Sequence, residues 1–152
     1  MFYEDIRVGE SIDLGSTTFT RAAIVNYGQG FDPRVLTRER AGELLAASGM
    51  HVAAAAMRRL IETRNATRAA LAARGESLPD LGVSPGFREM RWPNPVHEGD
   101  VVAFTMKTVS KRETSKPLWG LVAHTIRGFN QRSEEVLGFS GVAFVARRTG
   151  QM

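Results

Sequence analysis

The 152 residues contain no cysteine, so they offer no thiolate nucleophile and no cysteine metal ligand. The three histidines, His51, His97 and His124, are scattered without metal-ligand spacing. What remains with chemical potential is a carboxylate at Asp32, a hydroxyl at Thr37, and the Ser48-Gly49 step with His51 two residues beyond it. Asp32 precedes Pro33, which holds it extended, and a carboxylate there serves as a turn residue unless something nearby gives it a reaction to assist. Thr37 opens TRERAGELLAA and is expected to cap a helix there, with Glu39 in its first turn. Ser48 is a cap or a ligand donor. Gly49 costs about 1 kcal/mol inside a helix, so a helix starting near it is expected, with free backbone N–H groups aimed at whatever lies before. His51, on an apolar helix, is either a core residue or a partner of that helix start.

These groups need elements to hold them, and the central one is 44–61, LLAASGMHVAAAAMRRLI, rich in helix formers and apolar on nearly every face. A helix of that kind belongs in a core. Upstream, 11–20 reads as a strand, Thr20 as an N-cap, and 21–27 as a short helix stopped by Gly28 and Gly30. Downstream, helical character runs to about Arg74 and breaks at Gly75. A loop with Pro79, Gly82, Pro85 and Gly86 follows. Strands are expected at 87–92, 101–109, 118–130 and 136–147, with KRETSKP at 111–117 as a long hairpin loop and Gly138 and Gly141 as bulges. Trp92 and Trp119, on strands, read as packing residues. One strand, then helices, then four antiparallel strands make an α+β fold with a sheet folded around a buried helix.

The length fits one domain, spanning 1–152. No apolar run is long and uncharged enough for a membrane span, and the first ten residues lack a signal-peptide pattern, so a cytoplasmic protein with no membrane partner is expected. A net charge of +4 suits phosphate-bearing ligands, but the basic residues are spread along the chain, which argues against nucleic acid. No metal and no cofactor are implied.

The segments FYEDIRVGESI, VNYGQGFDPRVLT, ASGMHVAAAAMRRLI and SPGFREMRWPNPVHEGD, with the closing strand ending FVARR, resemble the MaoC-like dehydratase family, the hotdog-fold proteins that include (R)-specific enoyl-CoA hydratases. The resemblance implies a hotdog fold, a curved antiparallel sheet wrapped around a buried central helix. It also implies a homodimer or higher homo-oligomer with sheets joined edge to edge, and an acyl-CoA or acyl-carrier thioester between subunits. The family hydrates a 2-enoyl thioester, or runs the reverse, with an Asp followed five residues later by a His. Asp32 takes the Asp position; Thr37 stands at the His position, and its hydroxyl has no pKa near neutrality with which to act as a base. Gly49 is placed with its N–H against the thioester carbonyl. Asp32, Gly49 and His51 are thus the catalytic candidates, and Thr37, Ser48 and Gly49 the substrate-binding ones. Arg88, Arg91, Lys111, Arg112 and Lys116 either meet coenzyme A phosphates or are solvated surface. Three readings stay open: a hydratase or dehydratase, a thioesterase in which Asp32 activates water, and a non-catalytic acyl-CoA-binding or structural paralogue.

Overall fold

A computed structural model describes residues 1–79 and 81–148. A short 3-10 turn, Tyr3–Asp5, leads into β1 (Ser11–Thr18), followed by α1 (Arg21–Phe31), α2 (Arg34–Arg40) and α3 (Gly49–Ala72). The remaining strands are β2 (Gly86–Arg91), β3 (Val101–Glu113), β4 (Trp119–Phe129) and β5 (Glu135–Ala146). They form one antiparallel sheet in the order β1-β3-β4-β5-β2. Alternation puts Val102 and Phe104 of β3, Ile126 of β4, and Leu137 and Phe139 of β5 on one face, where Ile24 of α1 and Val52, Ala53 and Ala56 of α3 cover them. This is the expected α+β fold, a hotdog sheet with its helix inside.

Several local expectations give way to tertiary contacts. The helix expected to stop at Gly28 runs on to Phe31, because Gly28 is where Val35 of α2 lies closest: a Cβ on residue 28 would sit 3.0 Å from the Val35 Cβ. Thr20 does cap this helix, accepting from the Ala23 N–H at 3.2 Å. Thr37 is not an N-cap. The helix begins three residues earlier, because Pro33 already holds helical φ and ψ (−59°, −18°) at the cap position, and the Thr37 hydroxyl donates back to the Pro33 carbonyl from mid-helix. Glu39 therefore lies in the last turn, paired with Arg21.

Residues 44–48 are not helical. Ala46 bridges to His97 and the Ala47 N–H donates to the Val96 carbonyl, so this stretch is pinned to the turn before β3 and α3 starts at Gly49. Nor is α3 buried on all faces: Val52, Ala53 and Ala56 are, while Met50 and Ile61 are 55% and 49% exposed. β3 continues through Glu113, so the hairpin loop is shorter than expected. Gly138 and Gly141 pair in regular register with Arg127 and His124, and the bulge in this hairpin falls at Val136 instead. Those glycines are sites of close approach, since a Cβ would meet Arg91 at Gly138 and His124 at Gly141, both at 2.8 Å.

Candidate functional site at the head of the long helix

The start of α3 opens into a cavity of ≈ 640 Å³, bounded by α2, residues 43–48 and the segment after β2. Asp32, Ser48 and Gly49 line it together; Thr37 and His51 do not.

Asp32 terminates α1 with φ −145° and ψ 80°, outside the helical region that the following proline disfavours but short of the extended conformation expected for it. Its carboxylate is gripped on both oxygens by Arg34, Nε to Oδ1 at 2.8 Å and a terminal nitrogen to Oδ2 at 3.0 Å. The Arg34 pair and a hydrogen bond from Ser48 hold the acid down to about 2. It is an anion throughout the neutral range and a weak proton acceptor.

Ser48 occupies the N-cap of α3, yet its hydroxyl makes no bond to the helix it caps. It is buried, 7% exposed, and lines the cavity beside Asp32, whose acidity it helps to hold down. The first amide to reach a helix carbonyl is that of Val52, donating to Ser48 O at 3.2 Å. The N–H groups of Gly49, Met50 and His51 therefore lack a carbonyl of their own helix and lack the usual side-chain substitute. Such a set of donors, reinforced by the aligned dipoles of a 24-residue helix, suits a carbonyl oxygen that gains negative charge.

Trp92 fixes that helix start. Its indole Nε1 donates to the Gly49 carbonyl at 2.7 Å, and a Cβ on residue 49 would fall 2.7 Å from its Cε2. Glycine is needed here for space, not for φ. His97 lines the cavity too, with its Nδ1 3.2 Å from the Leu45 carbonyl, while its own N–H donates to Asp100 at 2.9 Å. It thus holds 45–48 against the turn before β3.

Two residues singled out from the sequence lie elsewhere. Thr37 is exposed on α2. His51 points the other way from the cavity, stacked on Tyr27 (centroids 4.7 Å, planes 5° apart) and edge-on to Phe19 at 5.1 Å. Its Nδ1 is buried with no hydrogen-bond partner, and burial lowers its pKa. Conversely, Arg34, Arg38, Trp92 and His97 line the cavity without having been picked out as site residues. Arg34 had a local signal, two residues beyond Asp32 across a proline; Trp92 and His97 are brought in from 43 and 48 residues beyond Gly49 by the sheet, and no spacing announces them. Among the described residues, no cluster of three or more His, Asp or Glu could hold a metal ion. No helix among the described residues is long and apolar enough to cross a membrane.

No family model matches the chain. It is similar to a MaoC-like dehydratase from Rhodospirillum rubrum, with a TM-score of 0.78 and 28% identity over 99% of each chain. A Mycobacterium tuberculosis protein described as a double hotdog fold matches with a TM-score of 0.73 and 16% identity, over all of this chain and 46% of that one. A mesaconyl-CoA hydratase from Cereibacter sphaeroides is 31% identical over 78 residues, 49% of this chain. The chain spans about a quarter (23%) of the length of that curated relative.

Proposed function

The chain resembles the MaoC-like dehydratases of the hotdog fold along nearly its whole length, and from that premise we propose that it binds an acyl thioester, with its carbonyl on the open amides at the head of α3, as a hydratase or dehydratase does. The observation that carries this reading is a Ser48 N-cap that makes no bond to its own helix, leaving the Gly49 and Met50 amides uncapped beside a cavity that Asp32 also lines. Hydration of a 2-enoyl thioester needs a base for the attacking water, a proton for the α-carbon, and donors for the oxygen that becomes an enolate. The helix start supplies the donors. Asp32 and Ser48 form a polar pair able to orient a water at the β-carbon.

Base strength is what this site lacks. A carboxylate held at about 2 takes a proton from water with little driving force, and the position of the family's histidine carries Thr37, which faces solvent. That combination favours, as second reading, an acyl-CoA-binding protein with slow or no turnover; thioester hydrolysis through Asp32 would suffer from the same weak base. A single 1–152 domain, a cytoplasmic location, and assembly into a homodimer or larger homo-oligomer belong to the same proposal. The test is incubation of the pure protein with crotonyl-CoA and butyryl-CoA, following conjugated-enoyl absorbance, free thiol and calorimetric binding together. Binding with loss of the conjugated band supports the hydratase. Binding alone supports the second reading, thiol release supports hydrolysis, and no binding of either ligand by folded protein removes the proposal.

A further inference from the structure

The outer face of the sheet, away from α3, carries a second cavity of ≈ 610 Å³. Its floor is formed by β4 and β5, with Leu121, Ala123, Val142 and Phe144; β2 raises Arg88 on one side and β3 raises Arg112 on the other. With the order β3-β4-β5-β2 the two wall strands stand three strand spacings apart, roughly 14 Å, and the register sets Arg88, opposite Ser140, four residues along β5 from the row Arg112–Leu121–Phe144, so the two cations lie diagonally across the floor. Among the described residues, no Asp or Glu lines this trough. Neither guanidinium makes an ion pair or hydrogen bond among the described residues. A third cation, Lys116, lies over the Phe144 ring with its ammonium 5.3 Å from the centroid, and the nearby Glu113 is taken by Arg147 at 2.9 Å. The floor residues are only partly buried, so apolar surface and unpaired positive charge face solvent together.

We propose that this trough docks an acidic amphipathic helix of a partner protein. A helix with its side chains is about 10–12 Å across, which fits between the two walls. An apolar stripe would lie on Leu121, Val142 and Phe144, with Ala123 and Ser140 small enough to let it approach. Carboxylates flanking that stripe would meet Arg88 on one side and Arg112 on the other. A second copy of this chain is a poor occupant. Face to face, it would set Arg88, Arg112 and Lys116 against their own counterparts in a molecule of net charge +4. Its long helix presents Arg64 and Arg68 on the outer half, and the one acidic residue there, Glu62, is already paired with Arg58 at 2.8 Å.

The probe is a fluorescein-labelled synthetic peptide of roughly 15 residues with leucines at helical spacing and glutamates on both flanks, compared with the same peptide carrying lysines for the glutamates. Anisotropy should show the glutamate peptide binding the full-length protein. The double variant Arg88→Glu, Arg112→Glu should bind it at least about 10-fold more weakly and should prefer the lysine peptide. Circular dichroism melting confirms that the variant is folded, and Arg88→Gln, Arg112→Gln, which should show an intermediate loss, replaces it if it is not. Four results would each overturn the proposal: no binding of the glutamate peptide, equal binding of both peptides, undiminished binding by the variants, or displacement of the peptide by free coenzyme A, which would reassign the trough to phosphate. A change in assembly mass on Arg88→Glu, Arg112→Glu would instead make it a contact between copies, and would also overturn it.

Discussion

The indole of Trp92 lies where a side chain on residue 49 would have to go, and holds the Gly49 carbonyl at 2.7 Å. Gly49→Ala is therefore expected to destabilise the protein by about 1–3 kcal/mol through overpacking, although alanine is the better helix former by about 1 kcal/mol. Trp92→Leu should recover part of that loss in the double variant. Urea unfolding of the four proteins checks it; additive losses would mean that the two residues do not meet.

Arg34→Gln should free Asp32 from its guanidinium and let its pKa climb from about 2 toward the ordinary 3.8. Because the folded value lies below the unfolded one, the Asp32 contribution to stability is complete above pH 3.8 and is lost as the pH falls through about 2. Carboxyl carbon NMR titration reads the shift. An unchanged value near 2 would transfer the effect to Ser48.

Thr37→His would place a histidine where the resemblance to MaoC-like dehydratases puts one, yet residue 37 faces solvent with its hydroxyl on the Pro33 carbonyl. Crotonyl-CoA hydration is expected to rise by less than about 10-fold, short of the roughly 10²–10⁴-fold that a placed general base supplies. A gain within that larger range, abolished by Asp32→Asn, would show that substrate draws α2 inward.

Burial lowers the pKa of both His51 and His124 below 6.5. For a depressed histidine the unfolded chain takes up the proton first, so stability falls as the pH drops below 6.5 and levels off only beneath the folded values. Denaturant midpoints measured from pH 7.5 to 5 should decline in the wild type and decline less in His51→Gln and His124→Gln. Parallel slopes in all three would refute this assignment.

Homodimerisation predicts a light-scattering mass of at least twice 16.7 kDa at micromolar concentration. The exposed Met50 and Ile61 on α3 and the unpaired edge of β2 are the surfaces such an assembly would have to cover. A 16.7 kDa species would rule it out.

Local chemistry made parts of this site readable in advance. Thr20 caps as its type and place suggest, the chain leaves the helix at Asp32 before a proline, and the glycine that weakens 44–61 as a single helix marks where α3 begins. What stayed hidden depends on distance along the chain. Gly28 looks like a stop until Val35 packs against it, and Thr37 looks like a cap until Pro33 starts the helix first. The Ser48 hydroxyl, which at an N-cap ordinarily bonds to its own helix, makes no such bond and lines the cavity with a carboxylate sixteen residues earlier. Trp92 arrives from a different layer altogether.

The strand order also dictates a sequence of events in time. β3, β4 and β5 are joined by short turns and can zip together locally, but β1 pairs Ser11 with Lys107 and must wait for a partner made some 96 residues later. At about 5–20 residues per second that wait is on the order of 5–20 s during synthesis. In its later half, once 52–56 have been made, Val52, Ala53 and Ala56 have a helix to sit on but no sheet to lie against. Closing that long loop is the slow, entropy-limited step. A nascent chain of this topology therefore spends seconds with the core-facing side of its longest helix in water, and what shields that side until the last hairpin emerges bears on its yield in a cell.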